Sequence, residues 1–132
     1  MRTYFKKRYN SFKFAFQGLV SAVRSEPHMR LHLLSAVGVA AAGFAFGITK
    51  TEWCLVVGCI GLVVTAEVLN TAIETVVNLV SPEFHPLAGR AKDLAAAAVL
   101  IAAIAAAIVG LIVFLPYVLS FAELYFGAET TV

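Results

Sequence analysis

Charge is scarce in this sequence. Only 14% of its 132 residues are Asp, Glu, Lys or Arg, whereas 61% are hydrophobic, against roughly 45–50% in soluble domains. Such a chain cannot cover its apolar surface with polar groups. That excludes an ordinary water-soluble domain and makes lipid part of its solvent. Cysteine is nearly absent. Cys54 and Cys59 lie in an apolar stretch, and their spacing points them in different directions on a helix, so neither a disulfide nor a metal pair is expected. Zinc-type Cys/His spacing is missing, and His28, His32 and His85 are scattered, each expected as an interfacial residue rather than a ligand. There is no GxxxxGK[ST] loop and no kinase-type glycine-rich loop followed by a catalytic Asp, which excludes the familiar soluble phosphotransferases. No nucleic-acid partner is expected.

What charge there is lies unevenly. Arg2, Lys6, Lys7, Arg8 and Lys13 crowd the start, and no acidic residue precedes Glu26. A basic start of this kind lies on an anionic cytoplasmic leaflet, serves as a topology signal, or does both. From about residue 11 to 25, Phe12, Phe16, Leu19 and Val23 recur at helical spacing with Lys13, Gln17, Ser21 and Arg24 elsewhere, which predicts an amphipathic surface helix. Glu26-Pro27 then breaks or bends the chain. The first strongly apolar span begins near Leu31, too late for a cleavable signal peptide.

The pattern predicts a single all-α integral membrane domain over 1–132, with transmembrane helices at about 31–49, 53–80 and 92–115. The first is close to the ~20 residues that cross a bilayer, and its Gly43 and Gly47 form a weak GxxxG signal for close helix contact. Lys50, Thr51 and Glu52 make a short turn, followed by Trp53 as an interfacial anchor. The second helix is apolar from Cys54 to Ala66, then carries Glu67, Asn70, Thr71, Glu74 and Asn78. A loop at 81–90, punctuated by Pro82, Pro86 and Gly89, leads to the third helix, which Pro116 limits or kinks. The amino-terminal segment and the loop before the third helix hold nearly all Lys and Arg. Both are therefore expected to be cytoplasmic, with the carboxyl terminus, bearing Glu123 and Glu129, outside.

Ionisable groups at membrane depth are costly and are functional candidates by default. Glu67, Asn70 and Glu74 fall at i, i+3 and i+7 and share one helical face, with Asn78 continuing the stripe. The alternative is that they glue helices together, which suits Asn70 and Asn78 better than two glutamates. Glu26 ends the surface helix at a depth that can match Glu74, and the two make a hard oxygen site suited to Mg²⁺ carried by nucleotide phosphates. Lys92 and Asp93 add a phosphate-binding cation and an acceptor, completing an ATP-sized polar patch.

The stretch Ala66-Glu67-Val68-Leu69-Asn70-Thr71-Ala72-Ile73-Glu74, with Ser81-Pro82-Glu83-Phe84-His85-Pro86-Leu87-Ala88-Gly89-Arg90-Ala91-Lys92-Asp93 downstream, resembles the prokaryotic diacylglycerol kinase family. The segments 11–18 (SFKFAFQG) and 26–33 (EPHMRLHL) fit as well, so the resemblance covers roughly residues 5 to 115. It implies a homotrimer of three-helix protomers in the bacterial inner (cell) membrane, with active sites shared between subunits at the cytoplasmic interface. It implies ATP and Mg²⁺ as cofactors. Glu67 takes the place of the general base for the lipid hydroxyl, with Asn70 supporting it, and Glu26 and Glu74 take those of metal ligands. Lys7, Phe14, Glu83, Phe84, His85, Lys92 and Asp93 fall where the family contacts nucleotide. Asn78 stands where relatives usually carry Asp, a departure that bears on nucleotide or metal contacts and leaves open a catalytically dead relative. The run Arg30-Leu31-His32-Leu33, the Glu52-Trp53 turn, Asn70-Thr71 and Ser81-Pro82-Glu83 look more like the undecaprenol kinase branch than the diacylglycerol kinase branch. The expected reaction is in-line transfer of the ATP γ-phosphoryl group to a lipid hydroxyl, that of undecaprenol, with diacylglycerol as the alternative. A non-enzymatic membrane subunit, such as a proton-carrying ring protein, is the rival class, and the ATP patch argues against it.

Overall fold

The computed structural model describes residues 2–126, with side chains from residue 5 to residue 124; Glu129 lies outside the described residues. Four helices follow one another: α1 (Arg2–Ser25), α2 (Pro27–Phe46), α3 (Lys50–Val80) and α4 (Pro86–Phe126). Among the described residues, α2, α3 and α4 are long and apolar enough to cross a membrane. The three expected spans are therefore present, each with boundaries set by local chemistry that hydropathy does not report.

The first span starts at Pro27 rather than near residue 31, because Pro27 occupies the first helical position, where its missing N–H costs nothing. Glu26, in extended conformation, is the only residue between α1 and α2. The Arg30 side chain reaches back to donate to the carbonyl oxygens of Val23 and Arg24, satisfying acceptors that the end of α1 leaves open. The span ends at Phe46 rather than 49. Gly47 takes the left-handed conformation (φ 65°) that an L side chain resists. The Ile48 N–H then returns to the Gly43 carbonyl at 3.2 Å.

The expected turn at 50–52 belongs instead to α3. Thr49 is its N-cap, and the capping box is reciprocal: the Thr49 hydroxyl accepts from the Glu52 N–H, and the Glu52 carboxylate accepts from the Thr49 N–H. That carboxylate also accepts from the Tyr117 hydroxyl at 2.8 Å, tying the α2–α3 turn to α4. The loop before the last span shrinks to residues 81–85. Pro86 again opens a helix, and the Leu87 N–H donates to Nδ1 of His85. Pro116 does not stop α4, which continues to Phe126. In hydrocarbon no water competes for backbone groups, so the helix absorbs one missing bond more readily than it unwinds.

The helices pack along seams of three- and four-residue steps. On α3 the buried or half-buried positions include Trp53, Val56, Ile60, Val63, Glu67, Asn70, Glu74 and Val77; on α2 they include Met29, His32, Ala36, Val39 and Gly43. This is the spacing of near-parallel helix packing. The apolar core lies toward the Thr49 end, where Ile48, Val56 and Val113 are buried with Phe46, Trp53 and Tyr117 against them. Gly43 makes that core possible. A Cβ there would lie 2.9 Å from the outer ring atoms of Trp53. The GxxxG pair is thus used within the chain, Gly43 as a seat for Trp53 and Gly47 as a helix terminator.

Candidate functional site

The polar stripe continues the seam that builds the core. Glu67, Asn70 and Glu74 occupy the positions that Trp53, Val56, Ile60 and Val63 hold nearer the turn. A carboxylate therefore stands where the periodicity calls for an apolar side chain. Glu67 is only 3% exposed. Its Oε1 lies 3.1 Å from Nε2 of His32. The pairing follows from the hairpin: His32 lies as many residues before the turn at Thr49 and Lys50 as Glu67 lies after it. Both also fall on the packed seams. Sequence reading set His32 aside as interfacial, yet the equal arms and the seam of Met29, Ala36 and Val39 were the signals that could have placed it.

One turn further, Asn70 Nδ2 donates to Glu74 Oε1 at 3.2 Å. Asn70 Oδ1 is buried without a partner. A buried acceptor left open is unusual and marks a place where a donor from elsewhere can bind. Asn78 is exposed. Counting along antiparallel α3 and α4 from the Glu52–Tyr117 contact sets Ala102 level with Glu67 and Ala95 level with Glu74, and both alanines are buried. Small residues on α4 thus let the carboxylate face approach. Lys92, half-buried on the same seam, comes level with Val77, just beyond Glu74.

The remaining sequence candidates are not gathered into one cluster within a single chain. Glu26 is half-buried at the α1–α2 corner, and its side chain makes no capping bond. Lys7 and Phe14 lie exposed on α1, Asp93 is exposed on α4, and Glu83 and His85 are exposed in the 81–85 loop. Phe84 is 92% exposed at the loop tip. Among the described residues no three His, Cys, Asp or Glu side chains come together to hold a metal. Two carboxylates would hold Mg²⁺ only in company with phosphate oxygens and water, which is how this ion is usually held. An apolar cavity of about 310 Å³ lies between α2, α3 and α4, lined by His32, Ala36, Cys59, Val63 and Ala106 among others.

Residues 13–114 match the prokaryotic diacylglycerol kinase family. The chain belongs to that family. It is 39% identical to the undecaprenol kinase of Bacillus subtilis over 108 residues, covering 82% of this chain and 88% of the relative. Its identity to the diacylglycerol kinase of Haemophilus influenzae is 42% over 93 residues, 70% of this chain and 79% of the relative. To the diacylglycerol kinase of Escherichia coli K12 it is 40% identical over 98 residues, 72% and 78% of the two chains. Family membership makes the chain a membrane-embedded lipid kinase, with ATP use implied by the kinase class. It removes the non-enzymatic ring subunit from consideration. The matched stretch contains every candidate site residue except Lys7.

Proposed function

We propose that this chain transfers the γ-phosphoryl group of ATP to the hydroxyl of undecaprenol at the cytoplasmic face of the bacterial inner membrane. The observation that carries the reading is Glu67, a buried carboxylate inside an apolar span of a lipid kinase. Twenty residues from Lys50 along α3 advance roughly 30 Å, the thickness of the hydrocarbon core. Glu67 and Asn70 thereby fall at the far boundary, where a lipid headgroup and a water-borne nucleotide can meet. Lys and Arg on α1 and around residues 90–92 support a cytoplasmic position for that boundary.

In the proposed step Glu67 accepts the proton of the lipid hydroxyl as its oxygen attacks the γ-phosphorus. The bond to the bridging oxygen breaks and ADP leaves with that electron pair. Lys92 neutralises charge on the transferring group, and Asn70 holds Glu74 in place through its Nδ2. Glu26 and Glu74 would hold Mg²⁺, which supplies charge neutralisation and alignment of the phosphates when bound. Glu83, Phe84, His85, Asp93, Phe14 and Lys7 contact nucleotide, Lys7 also lipid. Their dispersal in one chain supports a site completed by a neighbouring copy in a homotrimer. So does the uncovered surface of the spans, whose apolar 18-residue windows have only 11%, 22% and 17% of their residues buried. The aromatic and basic residues of α1 support an amphipathic helix lying on the membrane, and the whole chain works as one domain.

Undecaprenol is preferred to diacylglycerol on the run Arg30–Leu33 and the Glu52-Trp53 turn. Diacylglycerol stays the second reading, because relatives of similar identity carry that name. The test is phosphate transfer from labelled ATP by the purified protein in lipid, with the two acceptors offered in parallel. Label in undecaprenol alone bears out the proposal; label mainly in diacylglycerol reverses the acceptor. Transfer to neither, with ATP still bound, rejects both and points to Asn78.

A further inference from the structure

We infer that His32 is a positioning residue for Glu67, holding the base in the orientation that transfer requires. The inference rests on the reading that Glu67 takes the proton from the lipid hydroxyl. Glu67 sits where an apolar helix face gives way to the polar stripe, and its side chain is 4% exposed. A carboxylate so placed needs a donor, because burial without one is expensive. Among the described residues, His32 Nε2 is the side-chain group that reaches it, at 3.1 Å. Thr71 serves only the Glu67 backbone, its hydroxyl donating to the carbonyl oxygen.

Fixing one carboxylate oxygen has a geometric consequence. A glutamate has three rotatable side-chain bonds, and a single contact from a second helix removes most of that freedom. With Oε1 held by the imidazole, the other oxygen is the one left to receive a proton, in an orientation set by the α2–α3 hairpin rather than by substrate. Misplacing a reacting group by an ångström can cost on the order of a hundredfold in rate.

The location of His32 adds a second reason. The same side chain lines the apolar cavity between α2, α3 and α4. It therefore stands where the polar stripe gives way to apolar space, and it is 23% exposed. A flat ring with one polar edge suits such a boundary. A lysine or arginine there would bring a charge needing several partners of its own.

The test uses the full-length chain in mixed micelles with MgATP and a lipid acceptor, comparing His32→Leu and His32→Gln with the parent. Leu removes the donor, whereas the Gln amide can present an N–H at a similar reach. The expected result is a fall in kcat on the order of a hundredfold for His32→Leu, with the KM for ATP within about twofold. His32→Gln should recover most of the loss. A kcat for His32→Leu within about threefold of the parent overturns the inference. So does a deficit equal in both variants, which reports packing instead. Should His32→Leu not fold, ¹⁵N-histidine spectra of the parent decide: the His32 imidazole signal, assigned by its disappearance in His32→Gln, must move in Glu67→Gln and stay in Glu83→Gln. An unmoved signal refutes the contact. Transfer by Glu67→Gln at the parental rate would instead sink the assignment of the base, a result distinguishable from failure of the positioning role alone.

Discussion

Substituting Gly43 by alanine sets two opposed effects against each other, and the structure fixes their order. In an exposed helix interior the change gains about 1 kcal/mol, because alanine loses less backbone entropy. Here the new Cβ would lie 2.9 Å from Cη2 and Cζ2 of Trp53 and 3.1 Å from Cδ1 of Ile48, where carbon contacts want about 3.5–4.0 Å. Neither neighbour yields easily. The indole is already packed on Phe44 with ring centroids 4.8 Å apart, and Ile48 is 6% exposed in the core cluster. Overpacking of this kind costs typically 1–3 kcal/mol, so Gly43→Ala should destabilise the bundle by about 1 kcal/mol net. In a Trp53→Leu background the outer ring atoms are gone and the helix term is offset only by the 3.1 Å approach to Ile48, so the same substitution should range from neutral to stabilising by a few tenths of a kcal/mol. The assay is SDS titration of helicity in detergent micelles, read as a double-mutant cycle with a coupling of about 1–2 kcal/mol. Equal stabilisation by Gly43→Ala in both backgrounds would refute the seat assigned to Gly43.

Other consequences can be checked alongside it. Glu67→Gln should keep the fold and nucleotide binding while lowering transfer by about 10²- to 10⁴-fold, the range for losing a general base; ATP binding by dialysis and single-turnover transfer separate the two. Lys92→Met should raise the KM for ATP about tenfold or more, since it removes a charge-assisted phosphate contact, and an unchanged KM would leave Lys92 a mere topology anchor. Asn78→Asp should lower the KM for MgATP if this exposed position lies at the nucleotide end of the stripe, which steady-state kinetics can show. Tyr117→Phe should lower the SDS midpoint through loss of the 2.8 Å bond to Glu52 without changing kcat, because it acts at the opposite end of the bundle from Glu67.

The three spans were legible because lipid leaves no other use for long apolar runs, and Glu67 and Glu74 were legible because carboxylates in such runs are expensive. What the sequence hid were local decisions made by single bonds. Proline at a first helical position moved two helix starts outward, to Pro27 and Pro86. The Thr49–Glu52 capping box turned an apparent connection into the first turn of α3. Pro116 is expected to limit or kink the last helix, and in an apolar setting the helix runs through it. His85, expected among the nucleotide contacts, here accepts from the Leu87 N–H through Nδ1, which leaves Nε2 as the nitrogen that can meet a ligand. The partner of Glu67 was hidden for a different reason. Its place depends on two helices having equal arms about a turn, and reading the helices one at a time does not reveal that.

The shared seam of α3 also divides the molecule's resistance to unfolding. At the Thr49 end the seam is filled with Trp53, Val56 and Ile60, locked to α4 through Tyr117. Toward Val80 the same face carries carboxylates and amides opposite alanines, with little apolar area to hold it closed. Local opening is cheapest where buried apolar contact is least, so this chain should fray from its reactive end while its other end stays assembled. Heating or mild SDS would then silence phosphate transfer well before helicity falls. Replacing Glu67 with leucine should hold that end closed, giving a tougher and inert protein.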